Sequence, residues 1–172
     1  MLAVAAGGVV TLAACRSKSE SPAKQGSAAG SAAASASPIA ACSLLADDEI
    51  KKVTGRAVKA KKPGSSQGIF AEGCQWTLDG GEGSGIPDID LGVRSTGGLK
   101  YYEDHFERYI GDPDQALKTQ RLSGVGDKGL IDEMGDVMAV KHDVLISINY
   151  TAVPRNKTVA TELTKLVVDH HL

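Results

Sequence analysis

The chain has 172 residues, with 19 lysines and arginines against 21 aspartates and glutamates. This length suits one compact domain with extensions and excludes two sizeable enzyme domains. The near balance of charge gives no electrostatic basis for nucleic-acid binding. Hydrophobic residues make up 42% of the chain but aromatic residues only 4%, and there are 20 glycines. This composition indicates that part of the chain is of low complexity.

The N-terminal segment from Leu2 to Ala14 is apolar and carries no charge. As a helix, its 13 residues would extend about 20 Å, which is shorter than the roughly 30 Å hydrocarbon core of a bilayer. The length instead fits the apolar region of a secretory signal. We therefore expect residues 1–14 to be a signal peptide. Its true start is expected upstream, because no lysine or arginine precedes the apolar run.

The segment Leu12-Ala13-Ala14-Cys15 resembles the lipobox of bacterial lipoproteins, in which small residues precede a cysteine that is lipidated and becomes the new N-terminus. The resemblance implies that Cys15 anchors the protein to a membrane of the cell envelope. The anchoring membrane is either the cytoplasmic membrane, on its outer side, or the outer membrane. In a Gram-negative cell, Arg16 in place of the usual retention aspartate implies the outer membrane. The alternative is an alanine-rich helix that ends in a cysteine by chance.

Between the cysteine and the remaining chain lies a polar segment, residues 15–41. Of the 26 residues from Arg16 to Ala41, 18 are alanine, serine or glycine, and Ile39 is the one large apolar residue. Such a composition cannot bury enough surface to become ordered, so it predicts a disordered tether. The remaining residues, 42–172, have 16 basic and 20 acidic side chains, a net charge of −4. This globular head is therefore not expected to adhere to anionic lipid by charge.

The first half of the head predicts one short helix and two or three strands. Acidic residues after Ala46 favour a helix N-terminus, and Gly55 suits the position after its last turn. Apolar and polar residues alternate over 74–78 and again over 89–93, which is the pattern of half-buried strands. The glycine-rich segment 80–88 between them predicts a long hairpin loop.

The second half predicts a helix, three strands and a final helix. Apolar residues recur at helical spacing over 98–110, and two short strands are expected within 130–140. Residues 144–148 alternate most clearly, and Asn156 suits the N-cap of the last helix. We therefore predict a single α+β domain, an antiparallel sheet with helices packed on one face.

Two cysteines remain in the head if Cys15 is lipidated. In an exported protein, a disulfide between Cys42 and Cys74 is the default interpretation. Closing the loop between them would stabilise the head by about 3.5–4 kcal/mol on the chain-entropy model. Two free thiols, or a metal site that adds two histidines, are the alternatives, although no C-x-x-C pair is present.

The head also resembles a class of small bacterial lipoproteins with a domain of unknown function, common in actinobacteria and myxobacteria. Their heads open with Cys-x-Leu-Leu-x-x-x-Glu-Val and continue to Cys-x-Trp and Gly-x-Gly-Asp. The matching segments here are Cys42-Ser43-Leu44-Leu45, Asp48-Glu49-Ile50, Cys74-Gln75-Trp76 and Gly124-Val125-Gly126-Asp127. The resemblance implies an envelope lipoprotein and supplies no activity.

Three motifs that suggest chemistry lack the context that their chemistry requires. Residues 124–129 match the dinucleotide pattern G-x-G-x-x-G, but no buried strand precedes them and a hairpin is expected to follow. Residues 64–68 match G-x-S-x-G around Ser66, again without a following helix. The acidic residues around the hairpin loop lack the order of a calcium loop; they are Asp79, Glu82, Asp88 and Asp90. We therefore predict no catalytic, metal or cofactor residues.

Two classes of function remain from the sequence, besides a purely structural envelope component. The favoured one is a non-catalytic cell-envelope lipoprotein whose tethered head binds a small ligand or an envelope protein. The alternative is a secreted hydrolase that uses scattered Asp, Glu and His residues. A pocket with converging polar groups and perturbed carboxylates would favour the hydrolase, and an apolar cavity or patch would favour the binding protein.

Overall fold

Seven strands form one sheet in which every neighbouring pair is antiparallel. The computed structural model describes residues 39–65, 67–81, 85–112, 118–152 and 155–172. The strands are β1 (Val58–Pro63), β2 (Glu72–Leu78), β3 (Ile89–Arg94), β4 (Gln120–Arg121), β5 (Lys128–Ile131), β6 (Val137–Lys141) and β7 (Val144–Tyr150). Their order across the sheet is β1-β2-β3-β7-β6-β5-β4. Because β7 lies in the middle of the sheet, side chains on both faces of this strand are buried.

Three helices cover the two faces of this sheet unequally. They are α1 (Asp47–Thr54), α2 (Gly98–His105) and α3 (Lys157–His171). The first core cluster joins α1 and α3 to one face through residues such as Trp76, Ile148 and Leu163. The second joins Tyr102 of α2 to Leu145 of β7, which lies on the opposite face because side chains alternate along a strand.

The α+β class and the antiparallel sheet are therefore confirmed, and α1 and α3 share one face as predicted. The helix α2 differs, since it packs on the other face against Leu130, Val140 and Leu145. It is also shorter than the predicted range 98–110. Phe106 leaves the helical conformation, with φ −123°, and a short 3-10 turn follows at Glu107–Tyr109.

The residues that cap α1 and α3 are close to these helices in the sequence, whereas the residue that caps α2 is distant from it. Ala46 N donates to Glu49 Oε2 at 2.9 Å and Gly55 ends α1 with φ 72°. Asn156 caps α3, as predicted, by accepting from the two backbone N–H groups of Thr158 and Val159. The N-terminus of α2 is instead capped by Asp143, far along the chain.

The predicted disulfide is present between Cys42 and Cys74, with their Cα atoms 5.0 Å apart. It ties a short 3-10 turn, Ala41–Ser43, to β2 beside the fully buried Trp76. Ile39 and Ala41, which the sequence analysis assigned to the tether, also pack against the core. Ile39 N donates to Glu72 Oε2 at 3.1 Å, so the ordered head includes at least these residues.

The predicted signal peptide 1–14, the lipidated Cys15 and the tether up to residue 38 lie outside the described residues. Within the part of the chain that the structure does describe, no helix is long and apolar enough to cross a membrane.

Candidate functional site

A row of polar side chains crosses four strands and reaches the residue before β6, on the face of the sheet against which α2 packs. Lys62 of β1 is paired with Gln75 of β2, Gln75 with Asp90 of β3, and Asp90 with Asn149 of β7. Extending the pairing of Val137 with Ile148 by one residue places Asp136 beside Asn149. Adjacent strands lie about 4.8 Å apart, so this polar row (Lys62, Gln75, Asp90, Asn149, Asp136) spans about 19 Å.

The alternation of side chains along each strand explains why the row lies on this face. On β3, Ile89 and Leu91 belong to the core shared with α1 and α3, so Asp90 between them points to the α2 side. The same argument applies on β7, where Ile148 and Tyr150 flank Asn149. On β3 and β7, the polar row thus lies on the face opposite to the apolar residues that form the core shared with α1 and α3.

A loop between β1 and β2 packs on the sheet directly beside the polar row. Phe70 lies against Gly92 and Ser65 against Gly73, so closely that a Cβ at either glycine would collide with them. The loop also contacts the row itself, because Gln67 Nε2 donates to the Asp90 carbonyl oxygen at 3.3 Å. The two glycines therefore allow a loop to border the row, while α2 lies farther along the same face.

Several polar atoms on this face are buried without a hydrogen-bond partner among the described residues. They include Asp136 Oδ1, Asn149 Oδ1 and Ser147 Oγ. Ser147 is fully buried and precedes Asn149 by two residues, so both side chains point to the same face. Tyr102 Oη of α2, which packs on this face, is buried and unpaired in the same way. Buried polar groups in native proteins nearly always have a partner, which is a protein group, an ordered water or a bound molecule.

The inner end of the row is strongly negative. Burial, and then the neighbouring carboxylates of Asp132 and Asp90, raise the pKa of Asp136 to about 6, against the opposing effect of Arg155. Asp132 is held close because its Oδ1 accepts from Asp136 N at 2.9 Å within the β5–β6 turn. Asp90 is only 2% exposed. The fold therefore brings two other carboxylates, those of Asp132 and Asp90, near enough to Asp136 to act on its charge.

The outer end of the row opens into a shallow groove of about 150 Å³. The polar residues that line it are Lys61, Lys62, Gln75 and Thr77, and Ala60, Gly85 and Pro87 complete the lining. A larger hollow of about 360 Å³ lies elsewhere, beside the disulfide, and is lined mostly by apolar atoms of residues such as Ile39, Pro63 and Ala71. The groove adjoins the polar row, so a ligand that occupied the row could extend into it.

The acidic residues that the sequence offered as a weak calcium site are not brought together. Asp88 Oδ2 accepts from Leu78 N at 2.7 Å and its Oδ1 pairs with Arg56 at 3.4 Å, which is a structural role. Asp79 is exposed, Asp90 belongs to the polar row, and Glu82 lies outside the described residues. Nowhere in the described ranges do three or more His, Cys, Asp or Glu side chains form a group that could hold a metal ion.

The two glycine motifs have the contexts that the sequence predicted. Residues 124–127 lie in the bend between β4 and β5, so a strand and not a helix follows them, and Val125 is buried in the core. Between β1 and β2, the described residues 64–65 and 67–71 form no helix, and Ser66 lies outside the described residues.

The sequence analysis did not find the polar row. The available signal was the presence of Asp90, Ser147 and Asn149 between apolar residues of two strands. Such alternation normally indicates a solvent-exposed face, and only the strand order shows that these positions are covered. Comparisons with protein-family models, curated proteins and solved structures find no match to this chain.

Proposed function

We propose that the protein is a non-catalytic cell-envelope lipoprotein, anchored through Cys15, whose tethered head binds a small ligand along the polar row. The observation on which this proposal depends is the set of buried, unpartnered oxygen atoms at Asp136, Ser147 and Asn149. These atoms lie on the same face of the sheet as the groove at the outer end of the polar row. The anchor and tether are inferred from the sequence alone.

The energetic argument concerns the cost of these atoms in an empty site. A buried polar group without a partner costs about 1–3 kcal/mol, so several on one face would destabilise a small domain considerably. An apolar residue at position 147 or 149 would avoid that cost, as apolar residues do on the other face. A ligand that supplied their partners would remove this cost, which is the physical argument for binding on this face.

One observation favours the alternative of a hydrolase. A carboxyl group with a pKa near 6 beside two other carboxylates resembles a general acid, and such perturbed groups often mark catalytic sites. Catalysis needs a second group placed to act on the substrate. The neighbouring carboxylate, Asp132, already has a structural role, because its Oδ1 accepts from the backbone N–H of Asp136. No hydrogen bond among the described residues joins a serine or threonine hydroxyl to a histidine. Binding is therefore the better supported function.

Native mass spectrometry of the full chain, purified from its own host and released from detergent micelles, tests the binding function. We expect the protein to carry an additional small molecule of defined mass. Asn149→Leu should abolish that adduct because it removes a central acceptor of the row. Gln120→Leu makes the same amide-to-apolar change at an exposed position of the edge strand β4 and should retain it. A bare protein mass in the unsubstituted chain would contradict the proposal.

A further inference from the structure

The positive charges of the head are concentrated in one stretch of the chain. Residues 50–71 contain six lysines and arginines and no acidic residue, whereas the rest of the head has 10 basic side chains against 20 acidic ones. The net charge of −4, from which we expected no adhesion to anionic lipid, is therefore an average over two unlike parts of the head. Half of the basic residues in this stretch lie on β1; they are Lys59, Lys61 and Lys62.

The lysines of β1 are exposed at the edge of the sheet. Among the described strands, β1 pairs with β2 alone, and every residue of β1 after Val58 is exposed. Lys61 forms an ion pair with Asp47 of α1 at 2.9 Å. No ion pair among the described residues involves Lys59 or Lys62. This edge therefore presents at least two positive charges to the surroundings of the protein.

The connection to the predicted anchor starts beside these lysines. Pro63, the last residue of β1, lines the hollow of about 360 Å³ together with Ile39, the first described residue. Lys62 directly precedes Pro63. The acidic residue at this end, Glu72, accepts from Ile39 N at 3.1 Å, so its carboxylate already has a protein partner. The part of the head that is joined covalently to Cys15 is thus the part that carries the basic edge.

An apolar side chain is exposed at the same end of the β1–β2 hairpin. Ile69 is 43% exposed, although its neighbour Phe70 is buried and packs against Gly92. Phe70 N donates to the Gln67 carbonyl oxygen at 3.0 Å, which closes a turn that contains Ile69. Lysines beside an exposed apolar side chain suit a membrane surface, where the apolar group enters the interface and the ammonium groups stay at the level of the phosphates.

We propose that this hairpin end of the head (Lys59, Lys61, Lys62 and Ile69) lies on the membrane that holds the anchor and binds the phosphates of anionic lipids. The inference rests on the anchor of the proposed function and adds a second binding surface to the head. A lysine near an anionic bilayer strengthens binding about fivefold, and Lys61 contributes less because Asp47 already neutralises it.

The tether makes such a weak contact sufficient. Ile39 follows Cys15 by 24 residues. As the disordered tether that its composition predicts, this connection has a root-mean-square reach of about 25–30 Å. The hairpin end is therefore held at a high local concentration beside the lipid headgroups, and binding to them needs no further affinity from the rest of the head.

The test is lysine acetylation of the full lipidated chain, purified from its host, reconstituted into vesicles and analysed by mass spectrometry. Vesicles of phosphatidylcholine are compared with vesicles in which about a third of the lipid is phosphatidylglycerol. We expect Lys62 to react at least about fivefold more slowly in the anionic vesicles, and this protection to disappear at about 1 M NaCl, where charges are screened within a few Å. Lys118, beside the opposite edge strand β4, and Lys165 on the exposed side of α3 should react equally in both.

Two matched pairs of substitutions assign the effect to the basic edge, with Lys61 as the reporter. Lys59→Gln/Lys62→Gln removes two charges at exposed positions, so Lys61 should then react at the same rate in anionic and neutral vesicles. Lys118→Gln/Lys165→Gln makes the same change at exposed positions elsewhere and should keep the protection of Lys61 in anionic vesicles.

Three results would overturn the inference. Equal acetylation of Lys62 in both kinds of vesicle would leave the lysines only the role of protecting an edge strand from pairing. Protection of Lys61 that persists in Lys59→Gln/Lys62→Gln would mean that another surface contacts the lipid. Protection by soluble polyglutamate, without protection by anionic vesicles, would favour an acidic protein segment as the partner.

Flotation of the same samples separates this inference from the proposed function. A chain that does not float with phosphatidylcholine vesicles would contradict the anchor at Cys15. The acetylation of that soluble chain, mixed with an excess of anionic vesicles, would then still decide whether the hairpin end binds lipid. A chain that floats with neutral vesicles but shows equal acetylation in both would contradict the inference and leave the anchor intact.

Discussion

Among single residues, Asp136 is the one whose chemistry the fold changes most. Its carboxyl group is half-buried, Asp132 and Asp90 repel its charge, and its pKa rises from 3.8 to about 6. Because the pKa of Asp136 is higher in the folded state than in the unfolded state, folding takes up a proton at pH values between 3.8 and about 6. The ionised form of Asp136 therefore destabilises the free protein above pH 6, and this penalty disappears as the pH falls towards 4.

Replacing Asp136 by asparagine should consequently stabilise the ligand-free head at neutral pH. We expect a gain of about 1–2 kcal/mol at pH 7.5, reduced from the full shift to allow for solvent screening. The gain should shrink as the pH is lowered from 7 to 4, where the wild-type carboxyl group becomes neutral. Urea denaturation at several pH values measures it, with Asp169→Asn as the control. A stability difference that does not vary with pH would contradict this account of Asp136.

At the scale of elements, the β6–β7 turn positions α2. His142 and Asp143 adopt positive φ values of 48° and 72°, which joins the two strands by a two-residue turn. The Asp143 carboxylate then accepts from Gly97 N at 2.9 Å and from Leu99 N at 3.1 Å. The Asp143 carbonyl oxygen accepts from Gly98 N at 2.8 Å. One turn residue thus satisfies three backbone donors at the start of α2.

Substituting Asp143 should therefore loosen α2 and lower stability. Asp143→Ala removes the cap and places alanine in a left-handed conformation, so we expect a loss of about 2 kcal/mol. Asp143→Asn keeps an acceptor oxygen and tolerates the positive φ, so it should lose less than half as much. Urea denaturation compares the two variants. Equal losses of stability in the two variants would mean that the side-chain acceptor oxygen at position 143 does not hold α2 in place.

The same element shows how far the sequence could predict the fold. Helix periodicity, strand alternation and local caps such as Asn156 predicted where most elements lie, because these signals come from neighbouring residues. The face on which α2 packs depends on Asp143, which follows α2 by about 40 residues, and on Leu145, whose apolar side chain shares no face with Ile146. Neither relation can be read from local patterns.

The polar row could not be predicted for a similar reason. The members of the row come from four strands and from the residue before a fifth, β6, and their alignment depends on the register of four strand pairs. A shift of one residue in any pair would move a member of the row to the opposite face. The disulfide was predictable because it required only a count of cysteines and an expected compartment.

For the whole molecule, the proposal links a ligand-binding head to a membrane through Cys15 and a tether. Replacing the sulfur should release the protein, because a single apolar run of this length does not span a bilayer. We expect Cys15→Ser to move the protein from the membrane pellet to the soluble fraction on ultracentrifugation. Ser17→Ala, two residues away, should remain in the pellet. Retention of Cys15→Ser in the membrane would show that the apolar run anchors the protein instead.

The most direct test of the central claim is a crystal structure of the protein purified gently from its host, with the electron density inspected beside Asn149. The proposal predicts density for an organic molecule whose donors contact Asn149 Oδ1 and Asp136 Oδ1 and whose remaining atoms extend towards Gln75. Density for ordered water alone at these oxygens would mean that solvent satisfies the polar row. That result would contradict a ligand-binding function for this face of the sheet.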